Sequence, residues 1–167
     1  MALIIEDGSG VADANSYGTV AGLQVYADSR GISLPVVTAE LEALLINASD
    51  YLLGMEDRWQ GYRVEATQAL SFPREGVFLY GSLQPSTTIP AALINGQYQI
   101  AIDYNSGNML PTGAGRETLK EKVDVIEVEY AETGQGAFVP IPTKALLTLK
   151  PLFDDSAGLI NNLTVIR

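Results

Sequence analysis

The chain contains no cysteine and no histidine. The first absence excludes disulfides and thiol nucleophiles, and the two together exclude His-based catalytic triads and zinc sites built on Cys or His. Basic residues are scarce as well: ten Lys and Arg stand against twenty Asp and Glu, for a net charge of −10. Nucleic acid is held chiefly by Lys and Arg that displace counterions from phosphate. Here the basic residues are scattered, with Lys120 and Lys122 the nearest approach to a cluster, so non-specific nucleic-acid binding by the isolated chain is not expected. Long apolar runs are missing too. No stretch of about 18 apolar residues is present, so nothing reads as a membrane span and no membrane partner is expected. Met1–Glu6 is apolar but short, lacks a basic segment and meets acid at once, so it does not read as a signal peptide.

What is present suits a globular protein: 167 residues, 47% hydrophobic and 18% charged. A chain of this length buries about 70% of the surface its unfolded form exposes, enough to fold without a metal or disulfide. The simplest reading is a single domain over residues 1–167, with a helical part over about 17–106. A β-hairpin, a last helix and a C-terminal arm would occupy about 120–167.

Along the chain, Leu3, Ile4 and Ile5 read as a short strand or extended arm before the turn Asp7-Gly8-Ser9-Gly10. Asp7, Ser9, Asp13 and Asn15 offer oxygen ligands, but their spacing departs from a calcium loop and no Glu closes it, so a turn is favoured. Thr19 is placed to cap a first helix running to about Arg30, stopped by Gly31. Thr38 opens the strongest helix. Leu41, Leu44, Leu45, Ala48, Leu52 and Met55 form its apolar stripe, and its end is expected near Glu56–Gln60. A third helix is expected from Pro90 to about Asn105, weakened by Gly96, followed by a loop over 107–117. Val123–Tyr130 alternates as a half-buried strand, and Ala137–Val139, after the turn Thr133–Gly136, is its expected hairpin partner. A fourth helix is expected at about Thr143–Leu149, limited by Pro151. In the tail, Leu163 and Val165 alternate with polar residues as a second arm. The fold class expected is therefore mainly α: a small three- to four-helix bundle with a β-hairpin or short sheet element and extended N- and C-terminal arms. Whether the arms complete their own domain or lie across neighbouring subunits stays open at this point.

Nothing in the sequence composes a catalytic site. Glu127 with Glu129, and Asp154 with Asp155, read as solvated charge rather than as paired acid and base. There is no G-x-S-x-G elbow, phosphate-binding loop or dinucleotide fingerprint. No catalytic residue, metal ligand or cofactor is therefore expected. The distinctive stretch is Asp50–Val77. It carries the one tryptophan, Trp59, and leads into Phe78 and Tyr80, with Arg58, Arg63 and Arg74 interleaved among Tyr62 and Phe72. Trp and Arg are enriched where interfaces concentrate their binding energy. The subunit-interface candidates are Arg58, Trp59, Arg63 and Arg74, with Leu163 and Val165 in the tail. The plainer alternative is that Trp59 and Phe72 pin the loop to the second helix while the arginines pair with local acids. For Trp59 and Phe72 that alternative is favoured; for the arginines the interface is.

Taken in order, a set of short patterns resembles a family of tailed-phage proteins. They are Ala14-Asn15-Ser16-Tyr17, Val20-Ala21, Tyr26, Ala48-x-Asp50-Tyr51-Leu52, Trp59-x-Gly61, Gln68-Ala69-Leu70-x-Phe72-Pro73-Arg74-x-Gly76-Val77 and Ile89-Pro90-Ala91-Ala92. Members of that family are head–tail connector (adaptor) subunits, often labelled "putative DnaT-like single-stranded-DNA-binding protein". The likeness covers about residues 1–105 and is best over Asp50–Arg74. It departs at Gly96 and Gln97, where an Ala-rich run is the pattern, and is loose beyond about residue 107.

The resemblance implies a non-catalytic structural virion protein, made in the bacterial host cytoplasm and placed in the neck between capsid and tail. There it would form a dodecameric ring under the portal and continue the DNA channel toward the tail. The implied partners are the portal protein, neighbouring copies of the chain, a tail or stopper protein, and genomic DNA passing without sequence-specific binding. Net negative charge suits a channel through which DNA slides. The alternatives are a single-stranded-DNA-binding protein and a tail-completion or assembly factor.

Overall fold

In the computed structural model of the chain, residues 2–107, 120–123, 126–129 and 143–154 are described. Four helices, α1 (Val20–Asp28), α2 (Thr38–Leu53), α3 (Ala91–Asn105) and α4 (Thr143–Leu149), combine with short antiparallel hairpins. This mixture of helices and short hairpins is roughly compatible with the mainly helical expectation but is not clearly a bundle: the helices group around α3. α1, α2 and α4 all pack on α3.

Two details of α3 explain that arrangement. Leu93 and every residue from Gly96 to Ile102 are buried, so this helix is enclosed on most of its circumference. Gly96, which lowers helix propensity, is there for closeness: a Cβ at that position would lie 2.3 Å from Leu149 Cδ2 of α4. Beside it, Gln97 is fully buried yet satisfied. Its Oε1 accepts from the Tyr17 and Gly18 backbone N–H groups at 3.2 and 2.7 Å. Its Nε2 donates to the hydroxyls of Ser16 and Ser49, both at 2.8 Å. One amide thus ties the segment before α1 to α2 and α3. Buried polar groups are tolerated when paired in this way.

The helix ends differ slightly from expectation. α1 stops at Asp28, where the Arg30 guanidinium donates to Tyr26 O and Gly31 takes a left-handed φ of +66°. α2 stops at Leu53 rather than near Glu56–Gln60. Leu52 O, which would continue the helix, instead accepts from Met55 N and from the Trp59 indole N–H. A 3-10 turn, Glu56–Arg58, follows. α4 matches its expected bounds and passes into a second 3-10 turn, Lys150–Leu152, containing Pro151.

The N-terminal arm packs on its own chain. Ile5 forms a parallel bridge with Ser16, and Glu6 N donates to Ser16 O. The Glu6 carboxylate turns inward and accepts from the backbone of Gly8, Gly10 and Val11. Asp7 caps the turn through Ser9, whose hydroxyl and N–H hold the Asp7 carboxyl below its usual range. The oxygen-rich loop is therefore closed by its own donors, as the turn reading has it.

The strand Ile126–Glu129 (β6) pairs antiparallel with Lys120–Val123 (β5), the segment before it. Only two residues separate β5 from β6 in sequence, the commonest hairpin spacing. The expected loop beyond Gly107, the turn at Thr133–Gly136, the strand Ala137–Val139 and the arm with Leu163 and Val165 lie outside the described residues.

Candidate interaction surface

Residues 62–83, within and just beyond the Asp50–Val77 stretch, fold into two consecutive hairpins that sequence reading takes for loop. β1 (Tyr62–Arg63) pairs with β2 (Arg74–Glu75), and β3 (Phe78–Leu79) pairs with β4 (Ser82–Leu83). In the second hairpin Tyr80 and Gly81 have φ of +52° and +83°, the positive values that a two-residue primed turn demands. Gly61 is equally constrained: with φ +65°, an added Cβ would sit 1.8 Å from Glu75 O.

Trp59 is the keystone beneath this lobe. It is buried, meeting Phe72 edge-on at 5.5 Å and Phe153 at 5.2 Å. Phe153 belongs to the segment after α4, which docks here through Gln60 N to Leu152 O and Asp154 N to Arg58 O. The Tyr17 hydroxyl accepts from Phe72 N, and burial pushes that phenol's pKa up. Trp59 and Phe72 therefore serve the core, as the plainer alternative has it.

The arginines separate into two groups. Arg63 reaches the Glu56 carboxylate through Nε and Nη2, and Arg74 reaches it through Nη1 at 2.6 Å. Ser71 adds a hydroxyl donor at 2.6 Å. Burial works against the charge on Glu56, but the donors from Arg63, Ser71 and Arg74 outweigh it and bring the carboxyl down to about 2. Arg74, itself buried, also donates to the carbonyls of Gln60 and Gly61. Arg63 and Arg74 are thus the bolts that close the first hairpin on the 3-10 turn. This is the local pairing set against the intersubunit role expected of them. Arg58 lies over the Phe153 ring at 4.5 Å and is exposed.

The outward side is apolar. Phe78 and Leu83 are cross-strand partners on one face of the second hairpin, while Leu79 points inward. Tyr80 stands at its tip, 88% exposed, and Tyr62 of β1 is 64% exposed. Phe78 and Tyr80 were visible in the sequence as the end of the aromatic cluster that begins at Trp59. Leu83 and the clasp role of Glu56 were not: Phe78 and Leu83 are joined by strands of two residues each, and Glu56 meets arginines 7 and 18 residues along the chain. Elsewhere, a shallow groove lined by Gln24, Asp28, Ile32, Leu34 and Val36 gathers no converging charge. Among the described residues no group of His, Cys, Asp or Glu could hold a metal ion, and no helix is long and apolar enough to cross a membrane.

One comparison with known proteins returns a match. The model of a family described as "Putative DnaT-like ssDNA binding protein" covers residues 1–167. No curated protein and no solved structure matches the chain.

Proposed function

This chain belongs to that DnaT-like family, and on that premise we propose that it works by non-catalytic binding, as a head–tail connector subunit of a tailed-phage virion. In this reading, copies associate into a ring beneath the portal, meet a tail or stopper protein on the far side and let genomic DNA pass. The observation that carries it is how the basic side chains are used. Arg63 and Arg74 are spent on Glu56, and Arg30 and Arg58 lie over the rings of Tyr26 and Phe153. A protein that coats single strands combines stacking aromatics with a basic groove that follows the phosphates. With a net charge of −10, this chain has the aromatics, but two of its ten basic side chains, Arg63 and Arg74, are paired with Glu56. The phage resemblance over residues 1–105 supports the same reading.

Single-strand binding is the second reading. The family description speaks for it, and speaks for no virion role. The exposed Tyr62, Phe78 and Tyr80 favour it geometrically, since bases stack on such rings. Titration of a fluorescent oligothymidine at physiological salt separates the two. The connector reading expects no saturation below about 100 µM, the weak edge of non-specific binding. Tight binding that weakens steeply with salt would establish the second reading instead.

A further inference from the structure

The second hairpin holds an apolar cross-strand pair, Phe78 and Leu83, 54% and 60% exposed, with the exposed ring of Tyr80 at its tip. A two-stranded hairpin is marginal in water unless its apolar face is packed against something, and adjoining exposed apolar residues mark a contact surface. The described chain ends at this lobe. Phe153 lies on Trp59, Asp154 N donates to Arg58 O at 2.9 Å, and the second 3-10 turn comes within 8 Å of β3, Cα to Cα. The sequence then continues through thirteen residues, Asp155 to Arg167, of which Leu159, Ile160, Leu163, Val165 and Ile166 are large aliphatics. Asp155 and Arg167 are the only charged side chains among them.

We propose that residues 155–167 dock onto the Phe78, Tyr80 and Leu83 face of the hairpin in their own chain. Reach is ample, since thirteen extended residues span about 43 Å and the tail leaves from beside β3. The tether also favours the chain's own tail over a second copy. A short flexible connection sets an effective concentration of millimolar order, against a neighbour present at about micromolar. The occupant matches the face in chemistry, being aliphatic and nearly uncharged. Docked there, the tail covers Phe78, Tyr80 and Leu83, whether the chain works as a connector subunit or as a single-strand binder. The inference does not depend on which of those readings is correct.

The absence of cysteine makes the test direct. Four double variants, Tyr80→Cys or Leu83→Cys each combined with Leu163→Cys or Val165→Cys, are oxidised mildly as full chains at about 1 µM. An intramolecular disulfide is expected to exceed the disulfide-linked dimer by at least about tenfold in one or more pairs. A dominant dimer would assign the face to a second copy's tail and overturn the proposal. Thiols that stay free in all four pairs would overturn it as well. As a check without thiols, Leu163→Asp with Val165→Asp should speed amide exchange over residues 78–84 about tenfold, and unchanged exchange would contradict the docking.

Discussion

Gln97 and Tyr80 stand at opposite extremes: a polar amide at 0% exposure and an aromatic ring at 88%. Around Gln97 every hydrogen-bonding atom of the amide has found a partner in the helical body. Around Tyr80, Phe78 and Leu83 the apolar surface has found none among the described residues. The first region spends its unusual residues on holding one structure. The second leaves surface that contributes little to the fold, and function is better sought there. The Glu56 clasp joins the two, fixing the hairpin lobe to the 3-10 turn after α2.

This contrast predicts a graded series of substitutions. The largest loss belongs to Gln97→Leu, which strands two buried backbone donors and removes the donor to two buried hydroxyls. At about 1–3 kcal/mol for each unsatisfied group, partly relieved by relaxation, a total of about 3–5 kcal/mol is expected in urea unfolding. A loss below about 1 kcal/mol would mean that the amide is not the hub it is taken for.

Glu56→Ala comes next, at about 2–3 kcal/mol, because it leaves the buried Arg74 guanidinium without its carboxylate. The same clasp has a pH signature. The Glu56 carboxyl is held at about 2 in the folded chain, below the ordinary 4.5. Its stabilisation is therefore complete above about pH 4.5 and fades as pH falls toward 2. Glu56→Gln should flatten the wild-type loss of stability across that window, and identical acid profiles would remove Glu56 as the cause.

Gly96→Ala should cost about 1–3 kcal/mol, because the new methyl must push Leu149 aside. Smallest of all, Phe78→Ser and Tyr80→Ser should cost less than about 1 kcal/mol, since each loses contact with the docked tail but nothing of the helical body. If the lobe is the working surface, these same changes should abolish assembly with the partner protein. A large stability loss with intact assembly would reverse the contrast.

Much of the helical body was legible in the sequence because its signals are local. The apolar spacing from Leu41 to Met55 and the starts at Thr19 and Pro90 each act within a few residues. Gly96 and Gln97 looked like defects in α3 because their reasons, Leu149 and the Tyr17–Gly18 backbone, lie 53 and about 80 residues away. The hairpins of the 62–83 lobe were missed for a related reason. Two-residue strands carry no alternation to read, and the Tyr80-Gly81 turn is not among the stronger Asn-Gly or Asp-Gly signals. Arginine chemistry was visible, but its partner was not. Arg63 and Arg74 converge on a carboxylate 7 and 18 residues upstream, which spacing alone does not pair.

The connector reading is tested most directly by counting. On that reading, quantitative mass spectrometry of purified virions would compare the chain's copy number with that of the portal protein. A ratio near one is predicted. Absence from the particles would contradict it and leave single-strand binding as the reading to pursue.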